Sequence, residues 1–203
     1  MTPPPAPTIF DRKRLRARRN RMATIAARSP HQTADFLAPI FAERLEERLE
    51  DIDQKADTLL LIGGHSADFH ARLGAKGFAV TLVDPGAQFA QRGGGIQCDE
   101  DSILGASLAP ASYDIVLWNG GLDMVNDVPG ALVQCRRLLK PNGVLLGLCI
   151  GAGSLSTLRT SFRALESEQG VARFHPQIDV RAMGDLLQRC GFIFPMADHE
   201  ELT

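Results

Sequence analysis

The run Thr58-Leu-Leu-Leu-Ile62, closed by Gly63-Gly64, constrains the fold more than any other stretch of the chain. Five residues without a charge, ending in a glycine turn, read as a strand buried on both faces, the texture of a parallel sheet. Beyond this run, helical and extended patterns alternate. Ser66 to Ala75 reads as a helix, Phe78 to Val83 as a second strand ending at Asp84, and Ile96-Gln-Cys98 as a short third ending at Asp99. Tyr113 to Trp118 reads as a fourth strand, and Pro129 to Leu139 as a helix with proline in its first turn. The turn Lys140-Pro-Asn-Gly143 leads to a strand over Val144 to Ile150. Helices over Ser154–Glu168 and Val180–Cys190 and a strand over Phe192–Phe194 complete the pattern. Strands alternating with helices predict an α/β, Rossmann-like fold, a mostly parallel sheet with helices on both faces.

Ahead of this domain, assigned to residues 56–203, lie a proline-rich tail (1–8) and a helical region (9–55) expected to pack on the core. In the latter, Phe36, Leu37, Ile40, Phe41, Leu45, Leu49 and Ile52 recur at three- and four-residue spacing and predict a helix over about Asp35 to Asp51 with one buried face, Pro39 marking its first turn or a kink. The arm from Ile9 to Ala27 has a thin apolar stripe and helix-favouring Ala and Arg content.

Charge separates the two regions. The net charge is −2, yet eight of the 22 basic residues fall between Arg12 and Arg28, so residues 29–203 hold 14 basic against 23 acidic side chains. The expectation is an arm that pairs with an acidic body. No aromatic residues interleave with the arginines, which disfavours nucleic-acid binding. No apolar stretch approaches the roughly 20 residues that span a bilayer. Cys98, Cys135, Cys149 and Cys190 form no Cys-x-x-Cys pair and fit reduced thiols in a cytoplasmic protein. His31, His70, His175 and His199 lack metal-ligand spacing, so no metal is expected.

In a parallel α/β sheet, ligands bind beyond the carboxyl ends of the strands. Those ends carry Gly63, Gly64 and His65, then Asp84 and Pro85, then Asp99 and Glu100, then Trp118 and Asn119. Asp84 follows Gly63 by 21 residues, the spacing at which a carboxylate meets a ribose diol while a glycine turn admits the rest of a nucleoside. Gly-Gly after a strand is also a common βα turn, and Asp-Pro-Gly a common turn start.

With Asp84 after the second strand, Tyr113-Asp114 opening the fourth and Lys140-Pro-Asn-Gly143 before the fifth, the chain resembles the class I S-adenosylmethionine-dependent methyltransferases. Phe10-Asp-Arg12, Met124-Val-Asn-Asp127, Arg136 to Gly143 and Asp185 to Phe192 are similar to the methyltransferase-like branch that contains the respiratory complex I assembly factor, an arginine hydroxylase. The likeness spans about residues 9–203. It implies S-adenosylmethionine as cofactor, with Asp84 on the ribose, Asp99 and Glu100 near adenine, and Trp118 and Asn119 facing the transferable group.

The family's glycine motif is altered here. Leu61 stands where an acidic residue is usual, and His65 and Ala67 replace two glycines. A missing charge-assisted bond costs roughly 1.5–3 kcal/mol, so binding is expected to be weakened or lost. The family chain also continues past the position of Thr203, which implies a sheet short of its usual seventh strand, with an edge open to a homodimer or a protein partner. The leading expectation is methyl transfer to a small-molecule or protein acceptor. A non-catalytic scaffold or assembly factor, a pseudoenzyme, is the alternative, and protein-arginine hydroxylation the third reading.

Overall fold

A computed structural model describes residues 8–28, 36–64, 67–165 and 174–202. Most of the proline-rich tail and the end of the helix expected over Ser154–Glu168 lie outside these residues. Strands β1 (Thr58–Ile62), β2 (Ala79–Asp84), β3 (Ile96–Gln97), β4 (Tyr113–Asn119) and β5 (Leu139–Leu148) form one sheet in the order β3-β2-β1-β4-β5. Every pairing is parallel. Helices α1 (Arg12–Arg28), α2 (Leu37–Glu50), α3 (Ala67–Ala75), α4 (Ala87–Arg92), α5 (Val128–Leu138), α6 (Ser156–Leu165) and α7 (Val180–Arg189) surround it.

The apolar run in β1 explains the layering. Successive side chains on a strand point to opposite faces. Leu60 and Ile62 join Val116, Trp118 and the α5 residues Leu132 and Cys135 on one face. Leu59 and Leu61 join Leu45 of α2 and Phe69 and Leu73 of α3 on the other. Leu59 to Ile62 are all buried, each contributing about 1.5–3 kcal/mol by leaving water. Asp127 starts α5 by accepting the Gly130 amide at 2.9 Å, with Pro129 in the first turn as expected.

Two edges differ from the sequence reading. Lys140 to Gly143 is not a turn ahead of a strand. β5 already pairs at Leu139 with Tyr113, and resumes at Val144 opposite Ile115, so Lys140–Gly143 bulges out of the ladder. Asn142 takes φ 65° there, and a Cβ on Gly143 would fall 3.0 Å from the Asp114 carbonyl oxygen. The strand also ends at Leu148, before Ile150. Phe192–Phe194 is not a strand either. Gly191 ends α7 in the left-handed region, its amide and that of Phe192 donate to Gln188 and Leu187, and only Phe192 turns back to the core. Ile193 and Phe194 are 83% and 93% exposed, and among the described residues no strand pairs beside them. β5 is the outer strand on that side among the described residues.

One carboxylate ties the amino end of the sheet together. Asp114 accepts from the Asp57 and Thr58 amides, the Thr58 hydroxyl and the Lys140 ammonium, all within 3.1 Å. Burial alone would lift its pKa, but these bonds outweigh that and hold the carboxyl far below its ordinary range. Asp114→Asn, which forfeits the charge-assisted bonds, should lower unfolding free energy by about 1–3 kcal/mol in urea titrations. An unchanged midpoint would refute this role.

Candidate functional site

The carboxyl ends of β1, β2, β3 and β4 converge as the sequence predicts, but the space above them is held by α1. Arg12, Arg16 and Arg19 lie at i, i+4 and i+7 and share one face of that helix. Arg19 pairs with Asp84, Arg16 reaches Asp99 at 3.1 Å, and Arg12 bridges Glu100 at 3.1 Å and Asp101. The acidic body and the basic arm therefore meet at the strand ends.

Asp84 is fully buried. Its Oδ2 accepts from the Gly64 amide at 2.7 Å and its Oδ1 from the Gly86 amide at 2.6 Å, and the Arg19 guanidinium donates to both oxygens. Gly63 takes φ 95°, which a side chain would strain, and its amide donates to Val83. Gly86 must lack a side chain, because a Cβ there would stand 2.8 Å from Arg19 Cβ. The Pro85 carbonyl accepts from Gln97 at 3.2 Å, closing the turn after β2.

A second knot lies beside it. Asp101 accepts from the Asn126 backbone and side-chain amides at 2.8 and 3.0 Å as well as from Arg12. Asn126 Oδ1 in turn accepts the Ile9 and Phe10 amides at 2.8 and 2.7 Å. Burial would raise Asp101, but the bonds from Arg12 and Asn126 keep its pKa below the ordinary value. Glu100 behaves in the opposite way. Burial pushes its pKa from 4.5 up to about 7, outweighing the attraction of Arg19 and Arg12.

Four buried polar atoms among the described residues have no hydrogen-bond partner: Arg12 Nη2, Asp99 Oδ1, Trp118 Nε1 and Asn119 Oδ1. All belong to this one end of the sheet or to the helix across it. Orphaned buried polar atoms are rare and costly, and here they mix donors with acceptors.

Beside them opens a cavity of about 550 Å³, lined by Met22, Phe41, Met124 and Phe174 with Asp123 and His175 as polar groups. Gly120, Gly121 and Arg19 also border it, which makes it continuous with the strand ends. His175 Nδ1 lies 3.9 Å from Asp123, and burial raises the Asp123 pKa against that attraction.

The structure thus brings together Gly63, Gly64, Asp84, Pro85, Asp99, Glu100, Trp118 and Asn119. His65 lies outside the described residues. Sequence reasoning missed Arg12, Arg16 and Arg19 as site residues, along with Asp101 and Asn126. Their three- and four-residue spacing was the available signal. Among the described residues no cluster of His, Cys, Asp and Glu could hold a metal ion, and no helix is long and apolar enough to cross a membrane.

Comparison with known proteins gives a consistent answer. A family model described as "Methyltransferase domain" matches residues 12–193. The mitochondrial arginine-hydroxylase NDUFAF5 of Homo sapiens is 29% identical over 214 aligned positions, covering 99% of this chain and 60% of that protein. A malonyl-[acyl-carrier protein] O-methyltransferase of Methylovorus is 39% identical over 98 positions, 47% of this chain and 32% of the enzyme. The chain therefore spans about three-fifths or less of the length of these relatives. In fold it resembles the Burkholderia thailandensis 1,6-didemethyltoxoflavin-N1-methyltransferase solved with S-adenosylhomocysteine (TM-score 0.56, 17% identity, 93% of this chain and 82% of that one).

Glu100 offers a direct check on these electrostatics. Its folded pKa lies above the unfolded value, so the native state binds an extra proton between about pH 4.5 and 7. The stability this contributes is complete below the lower value and is lost as pH rises through the upper one. Glu100→Gln, a permanent mimic of the protonated acid, should raise the melting midpoint above pH 7 and converge with wild type below pH 4.5. The gain above pH 7 is on the order of 3 kcal/mol at most. A constant difference across the pH range would show that folding leaves the Glu100 pKa unshifted.

Proposed function

The chain belongs to the methyltransferase-domain family, and from that premise we propose that it binds S-adenosylmethionine at the carboxyl ends of β1 to β4 and transfers methyl groups to an acceptor seated in the adjoining cavity. When bound, the cofactor supplies an electrophilic methyl carbon on a sulfonium. This chain's own residues bind and orient. Asp84 would accept the ribose hydroxyls, Gly63, Gly64 and Pro85 would frame the turn, Asp99 and Glu100 would flank adenine, and Trp118 and Asn119 would face the transferable group.

One observation carries the reading. The unpartnered Asp99 Oδ1, Trp118 Nε1 and Asn119 Oδ1 sit on three of the residues assigned to the ligand. A nucleoside ligand would offer donors to the two oxygens and an acceptor to the indole, removing their desolvation cost. The walls of the cavity, mostly apolar, suit an acceptor that is largely uncharged, and methyl transfer to a good nucleophile needs chiefly in-line positioning. A cytoplasmic setting belongs to this proposal and rests on four free cysteines.

A second reading has its own support. Leu61 offers no carboxylate to a methionine ammonium, and Arg19 already fills the acceptor capacity of Asp84. Both favour a non-catalytic scaffold that binds a protein partner. A partner that binds a pocket-blocked variant as well as wild type would support it. The third reading, arginine hydroxylation, comes from the name of the Homo sapiens relative. An added oxygen on a partner's arginine, seen by mass spectrometry, would establish it.

Calorimetry with S-adenosylmethionine and S-adenosylhomocysteine distinguishes the first reading. Wild type should bind both. Asp84→Ala, checked for a cooperative melt, should bind at least about tenfold more weakly, as expected for a lost charge-assisted bond. Silence from wild type toward both ligands at millimolar concentration would remove the cofactor from the account.

A further inference from the structure

We propose that α1 is a tethered lid whose Arg19 occupies the place of the cofactor's ribose, so that ligand binding requires this arginine to withdraw from Asp84. The inference rests on the cofactor reading and adds a competitor built into the chain.

The argument begins with the lone pairs of one carboxylate. Asp84 spends one acceptor position on Gly64 and another on Gly86, at 2.7 and 2.6 Å, bonds made within the strand-end turns themselves. The remaining positions are taken by Arg19 Nε and Nη2. A ribose diol donates two hydrogen bonds and needs those same positions. Both occupants cannot be held at once. The carboxylate is fully buried under the guanidinium, so no second approach lies open to a sugar.

The lid is attached chiefly by charge. Of the 17 residues of α1 only Ala23 is buried, and Ile25 is about half exposed. Four ion pairs and the Ile9 and Phe10 amides on Asn126 hold its amino-terminal half. Its carboxyl-terminal half is tethered to α4, where Arg92 donates to the Ala23 carbonyl at 2.7 Å and the Gln88 amide donates to Asn20 at 3.2 Å. A helix that buries so little apolar surface forfeits little of it on lifting, and its ion pairs weaken with salt.

The closed arrangement is also imperfect. It leaves Arg12 Nη2 and Asp99 Oδ1 buried without partners, although each residue is already engaged across the lid. A clamp that strands one donor and one acceptor at its own seam is poised to exchange them for a ligand's groups. Arg19 further lines the adjoining cavity together with Met22. Movement of α1 therefore alters the donor site and the cavity in one step.

The test uses the full chain with S-adenosylhomocysteine as probe. Arg19→Met should bind it at least about tenfold more tightly than wild type, while Arg18→Met, which removes an exposed cation from the same helix, should not. Raising salt from about 50 to about 500 mM should tighten binding to wild type more than to Arg19→Met, which keeps the Arg12 and Arg16 pairs but lacks the competing one. In hydrogen exchange, α1 amides of wild type should exchange faster when ligand saturates the protein. This last readout needs no variant and stands if Arg19→Met fails to melt cooperatively. Equal or weaker binding by Arg19→Met, or slower α1 exchange on ligation, would overturn the lid and leave the cofactor reading intact. No heat from either wild type or Arg19→Met would overturn both, because removing the competitor would have uncovered no site.

Discussion

The arrangement depends on burying one carboxylate at the end of β2. The buried side-chain oxygens of Asp84 are satisfied by two backbone amides and a guanidinium. Each partner fixes a piece of structure. The Gly64 bond sets the turn after β1, the Gly86 bond sets the entry to α4, and the Arg19 pair draws α1 over both. The near contact that a Cβ on Gly86 would make with Arg19 shows how closely the helix backbone follows. Removing the carboxylate would release a helix, two turns and the boundary of the cavity.

The two short segments that carry much of the family likeness have a physical link. Phe10-Asp-Arg12 and Met124-Val-Asn-Asp127 are more than a hundred residues apart, yet Asn126 holds the Ile9 and Phe10 amides while Arg12 and Asn126 share Asp101. A motif at the start of α1 and a motif after β4 are two halves of one joint. That joint places Arg12 beside Glu100 and, two turns along the helix, Arg19 above Asp84.

Much of the sheet was legible because its signal is local. The apolar run of β1 begins and ends where the sequence places it, and the alternation that puts Leu60 and Ile62 opposite Leu59 and Leu61 follows from strand geometry alone. The misreadings fall where partner strands decide. Lys140–Gly143 has the composition of a turn, but β4 accepts Leu139 into the ladder before it. Phe192–Phe194 has the composition of a strand, but Gly191 turns the chain, and among the described residues no neighbour covers Ile193 or Phe194. The site divides similarly. Asp84 could be found from its distance to Gly63. The periodicity of Arg12, Arg16 and Arg19 was visible too, but their targets lie 65 to 89 residues away, and only tertiary structure sets that register.

Burial raises the pKa of Glu100, and the crowding of carboxyl groups at the seam adds to it. Three guanidiniums, from Arg12, Arg16 and Arg19, face four carboxyl groups, from Asp84, Asp99, Glu100 and Asp101. At Glu100 burial is the largest influence, and the neighbouring Asp84 adds repulsion. Asp101 escapes because Asn126 and Asp127 supply hydrogen bonds that favour its charged form. The closed lid is therefore close to electrical neutrality with Glu100 protonated. Withdrawal of Arg19 would leave the strand ends more negative, a potential suited to a cationic ligand.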